Sequence, residues 1–162
     1  MEKINFKEIS LCFTKLSNTL ELMERVIYKG NNSFRHMKFF DAFKQTYRQV
    51  NKNFIKSNLC QRTGMALKQI PSENYNDIHP RSKAKLKNML RDIENIVEIH
   101  ERIKKGPMCR MVKEATLILS VQHHVAFCQI ALGVMGEINK GSSDIIILLK
   151  NCQVIISDVL SY

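Results

Sequence analysis

Apolar residues return every three or four positions along most of this chain, the period of a helix with one buried face. Between residues 5 and 28 the recurring positions are Ile9, Phe13, Leu16, Leu20, Met23 and Ile27, with Cys12 beside Phe13. Lys29-Gly30-Asn31-Asn32-Ser33 comes next. Glycine and asparagine tolerate the left-handed conformation that closes a helix, so a stop is expected there. A second helix is expected from about Phe34 to Ser57. Its Phe40, Phe43, Tyr47, Val50 and Phe54 are spaced three and four apart and share one face. The short connection makes these two helices antiparallel neighbours.

Residues 58–82 are less regular. A short helix near Thr63 to Gln69 is expected, then a surface loop marked by Pro71, Asn74, Asn76, Asp77 and Pro80. The third long helix is expected from an N-cap at Ser82 to about Lys105, with Leu86, Leu90, Ile93, Val97 and His100 on one face. Gly106-Pro107 is expected to stop it. A fourth, about Met108 to Asn139, is apolar on two sides. One carries Ile118, Val121, Val125, Cys128, Leu132 and Met135; the other carries Ala115, Leu119, Ala126, Ile130 and Gly133. Such a helix belongs at the centre of a bundle. Lys140-Gly141-Ser142 reads as the next break. Residues 144–160 are rich in β-branched side chains and fit a helix or a hairpin turning at Lys150-Asn151. Helix is preferred, since a lone hairpin is weakly stable. The pattern as a whole predicts an all-α fold: one domain over residues 1–162, a four- to five-helix bundle with a long central apolar helix. Within it, residues 34–113 form a basic helical half and residues 108–160 the apolar C-terminal helices.

The 162 residues suffice for a hydrophobic core without disulfides or metal. Cys12, Cys60, Cys109, Cys128 and Cys152 are odd in number and show no CxxC spacing. The opening MEKINFKEIS has no apolar leader segment. A reducing compartment, cytosol or nucleus, is therefore expected. Leu117 to Ile138 is the most apolar stretch, but Gln122, His123, His124 and Gln129 interrupt it, so no membrane span is expected.

Charge changes the picture more than composition does. The chain carries a net +10. Residues 1–33 hold 5 basic and 4 acidic groups, residues 34–113 hold 18 and 7, and residues 114–162 hold 2 and 4. A positive field this local attracts polyanions, and nucleic acid is the commonest in a reducing compartment. Lys44, Arg48, Lys52 and Lys56 repeat every four residues beside the aromatic stripe of the second helix, and Arg35 and Lys38 extend the row. Lys83, Lys85, Lys87 and Arg91 crowd the start of the third helix, where cations oppose the macrodipole at about 0.3–1 kcal/mol each. These ten are the candidate nucleic-acid contacts. The plain alternative is a solvated face neutralised by i, i+4 pairs of Lys87 or Arg91 with nearby carboxylates. Lysine and arginine on phosphate position an RNA without reading its sequence. Tyr28, Phe34, Phe39 and Tyr75 are the aromatic candidates for base stacking.

Nothing in the order or spacing of residues nominates a catalytic pair, and phosphate-cradling, nucleophile-elbow and HExxH motifs are absent. No enzyme activity, cofactor or small-molecule substrate is expected. His124 and Cys128, four apart, would need Cys109 or His100 to complete a zinc site, and buried thiols and satisfied histidines are the commoner explanation.

From Tyr28 to Gln45 the chain reads YKGNNSFRHMKFFDAFKQ. Tyr28, Asn31-Asn32, Arg35-His36, Lys38 and Ala42-x-Lys44-Gln45 resemble the N-terminal helical region of the RNase MRP-specific protein family, known in animals as nucleolus and neural progenitor protein (Nepro). In that family an early helix ends near a tyrosine, a short Asn/His-rich turn follows, and a basic helix comes next. A later apolar helix of the family is similar to Leu117 to Ile138. The resemblance implies a helical, non-catalytic subunit of a nucleolar ribonucleoprotein that processes pre-ribosomal RNA. Its partners would be structured RNA and other protein subunits. The competing expectation is a helical protein–protein adaptor whose basic face is only solvated and makes no direct RNA contact.

Overall fold

Burial of one face at three-four spacing in every long segment explains why the described residues are predominantly helical. The computed structural model describes residues 6–70 and 79–161. Six α-helices occur among them: α1 (Phe6–Phe34), α2 (Lys38–Val50), α3 (Leu59–Leu67), α4 (Pro80–Ile103), α5 (Cys109–Ser120) and α6 (Val125–Ser161). A π turn, Asn51–Ile55, continues α2, and a second, Lys104–Met108, joins α4 to α5. The chain is thus four rods with the short α3 at one end, which agrees with the expected all-α bundle.

Two contacts show that the second and third rods run antiparallel. The Phe54 and His100 rings lie 6.1 Å apart, and Arg110 Nη2 donates to Gln45 Oε1. Nine residues back along one rod correspond to ten residues forward along the other. The first and last rods behave likewise, with Gly141 against Leu16 and Gly30 against Phe127. Contacts also join α1 to α2 and α4 to α6, so the rods close into a ring around one core. Phe39, Phe40, Phe43, Val50 and Phe54 are fully buried there.

The stop signals in the sequence are where structure and expectation part. Residues 29–33 do not end the first helix, which runs on to Phe34. Gly30 is there for packing: a Cβ on it would lie 2.5 Å from Phe127 Cζ and 2.9 Å from Phe40 Cε2. The turn is made by residues 35–37 instead, where the Met37 N–H donates to the Phe34 carbonyl at 2.8 Å. α4 starts at Pro80 rather than Ser82, with His79 as cap: its Nδ1 accepts from the Arg81 N–H at 3.2 Å. Proline suits that first position because its missing N–H would be unpaired anyway. Ser82 Oγ donates to Gln69 Oε1 at 3.0 Å.

Gly106-Pro107 does not stop the third rod either. Pro107 is buried inside the π turn, whose wider coil takes the ring without the carbonyl clash of a regular turn. The expected helix from Met108 to Asn139 is instead broken at residues 121–124. Gln122 and His124 there have φ of 57° and 51°, a left-handed conformation that costs about 1–2 kcal/mol per non-glycine residue. The His124 ring against Phe34 and the Cys128 N–H bond to the His124 carbonyl, 3.0 Å, hold the elbow. Residues 140–142 lie inside α6, where Ser142 Oγ donates to the Ile138 carbonyl at 2.7 Å. The long apolar helix is therefore α6, 37 residues long, and the segment 144–160 is helical within it. Among the described residues no helix is long and apolar enough to cross a membrane.

Candidate nucleic-acid interface

Every rod contributes charge, but not equally. α1 and α6 together carry 6 basic and 6 acidic side chains. α2 to α5, with the two π turns, carry 15 basic and 6 acidic. One half of the ring is neutral and the other holds the excess.

On α2 the exposed outer row follows from the buried one. With Phe39, Phe43, Thr46 and Val50 turned inward, the positions Lys38, Asp41, Gln45, Arg48 and Lys52 share the outer face at the same three-four spacing. Lys44 lies beside this row, half-buried, with Nζ 5.2 Å from the centre of the Phe40 ring. Lys56 is exposed just past the π turn. At the α1–α2 end, Arg35, His36, Lys38, Asp41 and Arg110 line an open cleft of about 450 Å³. Arg35 Nε donates to His36 Nε2 at 2.9 Å. Arg110 is held by Gln45, so α5 brings a third permanent cation to a cleft that contains one carboxylate.

The cations of α4 do not join this cleft. Because α4 runs antiparallel to α2, its first turns lie at the far end, beside α3. Lys85 lines a second cleft there, about 350 Å³, together with Arg62, Lys68, Asn88 and Asp92. Lys83, Lys87 and Arg91 follow one another at i, i+4 on a different face of α4. Positive groups thus run along the bundle from the α1–α2 turn to the α3–α4 groove.

The ion pairs recorded among the described residues are Arg62–Asp92 at 2.5 Å, Arg102–Glu98 at 3.5 Å and Lys105–Glu101 at 3.8 Å. None of the ten candidate contacts takes part. Of the carboxylates near Lys87 and Arg91, Asp92 is engaged with Arg62, and Glu94, three residues beyond Arg91, forms no ion pair with it.

The aromatic candidates divide sharply. Phe34 and Phe39 are core residues, packed with Phe40 and Phe127 at centroid distances of 4.2–6.2 Å, and cannot receive a base. Tyr28 is 85% exposed, but on the neutral side. Tyr75 lies outside the described residues. His124 sits in the elbow, not on a helical face with Cys128, and no group of three potential metal ligands occurs among the described residues.

Arg110, Arg62 and Lys68 were missed by the sequence reading. Arg62 and Lys68 fall in its irregular segment. Arg110 follows the Gly-Pro pair taken as a stop, and only the antiparallel register of the second and third rods brings it to Lys38.

Comparison with curated proteins and with solved structures finds no match. Residues 2–153 match the sequence model of the N-terminal region of nucleolus and neural progenitor protein, so the chain belongs to that family and its place is the nucleolus.

Proposed function

We propose that this chain is a non-catalytic, RNA-associated subunit of a nucleolar ribonucleoprotein of the RNase MRP kind, acting in the processing of pre-ribosomal RNA. The observation that carries the reading is that none of the ten cations of the α1–α2 turn, α2, the π turn after it and its end, and α4 is in an ion pair among the described residues. Lysines and arginines left without carboxylates on one half of a bundle make a field that a polyanion satisfies. Two clefts of basic groups, one at each end, are joined by the outer row of α2. They suit the phosphates of a folded RNA, gripped through its backbone shape rather than its bases. The packing of Phe34 and Phe39 into the core supports the same mode, since it removes two stacking platforms.

Crosslinking the protein to RNA in cells and sequencing what is attached tests this directly. One dominant structural RNA of a processing ribonucleoprotein is the expected result. Protein partners that persist after complete RNA digestion, with no enriched RNA, would favour the adaptor reading instead.

A further inference from the structure

On the neutral side of the ring, α1 and α6 leave an apolar groove open. It is the roomiest of the described clefts, about 780 Å³, and its walls include Leu22, Val26 and Tyr28 of α1 with Phe127 and Ile130 of α6. Leu22, Tyr28 and Ile130 are 49%, 85% and 55% exposed. Gly30 makes the floor possible, because the Phe127 ring occupies the place of its missing Cβ. Ala126, Ile130, Gly133 and Glu137 share one exposed face of α6, and a Cβ on Gly133 would meet nothing within 4 Å. That face is smooth enough for another backbone to approach closely.

We infer that this groove seats an amphipathic helix of a partner protein, one with acidic side chains flanking its apolar stripe. Three observations select that occupant. The α1 rim carries two cations, Arg25 and Lys29, exposed, one turn apart and in no ion pair among the described residues, against one lining carboxylate, Glu24, which also interacts with the Tyr47 hydroxyl of α2. A carboxylate-bearing flank complements that rim. A second copy of this chain is disfavoured, since each carries a net +10 and the two would repel. RNA is disfavoured too, since the walls named above are hydrocarbon and the two rim cations stand apart from the row of α2. The groove is lined by α1 and α6, the row lies on α2, and the two share no residue. Both can therefore be occupied together, and the subunit proposed above becomes a bridge between a protein and an RNA. The inference about the groove does not depend on that RNA reading.

The test places the photoreactive residue p-benzoylphenylalanine at Ile130 of the full chain in cells, with Val154, equally exposed on α6, as the control position. Crosslinked peptides are mapped with and without prior RNase. The expected result is one segment of a different protein, with acidic residues beside apolar ones at three-four spacing, captured at 130 and not at 154. It should survive RNase. Combining it with Arg25→Glu and Lys29→Glu, both exposed and harmless to folding, should lower the yield about tenfold. Crosslinks to RNA, to a second copy of the chain, equally at both positions, or none at 130 would each overturn the inference. The RNA reading is tested separately by the charge-reversal variants of α2, which leave the groove intact.

Discussion

His100 and Ser142 meet where α4 crosses α6, with Nε2 3.1 Å from Oγ. The serine hydroxyl already donates to the Ile138 carbonyl at 2.7 Å, so in this pair the imidazole donates and the proton is on Nε2. His100 is buried, with the Phe54 ring beside it. Burial holds its pKa below the ordinary histidine range, and Lys104 and Lys150 add to the effect while Glu101 opposes it.

A pH dependence follows with a definite sign. The folded pKa lies below the unfolded one, so the unfolded chain binds more protons as pH falls through about 6.5. This contribution to stability is complete above that range and is lost on acidification, at no more than about 1.4 kcal/mol per pH unit. Urea midpoints measured from pH 7.5 down to 5.5 should fall in the native chain and fall less steeply in His100→Gln. Parallel curves would contradict the assignment.

Glycines in α1 and α6 should respond to alanine in opposite directions. Gly30→Ala forces a methyl into the Phe127 and Phe40 rings, which are themselves wedged among Phe34 and Phe39, so a loss of about 1–3 kcal/mol is expected. Gly133→Ala and Gly136→Ala meet nothing, and each should gain about 0.5–1 kcal/mol from helix propensity. Thermal or urea unfolding of the three variants checks the contrast. Equal behaviour would mean that Gly30 does not serve the packing described.

Thiol reactivity should follow depth. Burial pushes the Cys152 thiol up to about 11 and raises that of Cys128, and both side chains lie within the core. In the native chain at neutral pH neither should react with a disulfide reagent, since the thiolate is the nucleophile. All five cysteines should react once the chain is unfolded. Rapid native labelling of Cys128 or Cys152, located by peptide mass, would show that the α6 core face opens.

The parts of the fold that were legible in sequence are those fixed by periodicity. Phe40, Phe43, Val50 and Phe54 occupy the core as their spacing demands, and the helix over 144–160 followed from context. Punctuation failed, because glycine and proline serve more than one purpose. Gly30 and Gly141 lie against a neighbouring rod, and Pro107 sits in a π turn. The true break, at residues 121–124, is built from Gln122 and His124 in a conformation that their residue types do not announce. The same division holds for the candidate interface. The row on α2 is local and could be read from its spacing. The cleft that adds Arg110 to Lys38 depends on how two rods are paired, which no local pattern records.

The central claim is that cations of the α2–α5 half carry RNA association. The most direct measurement is the salt dependence of affinity for the RNA recovered by crosslinking. The native chain is compared with Lys38→Glu/Arg48→Glu/Arg110→Glu and with Lys15→Glu/Lys140→Glu on the neutral α1–α6 half. The first variant should bind at least about a hundredfold more weakly, with a log–log salt slope shallower by about 2–3 and helicity unchanged. The second should bind as the native chain does. Equal affinity and slope for all three proteins would contradict the account.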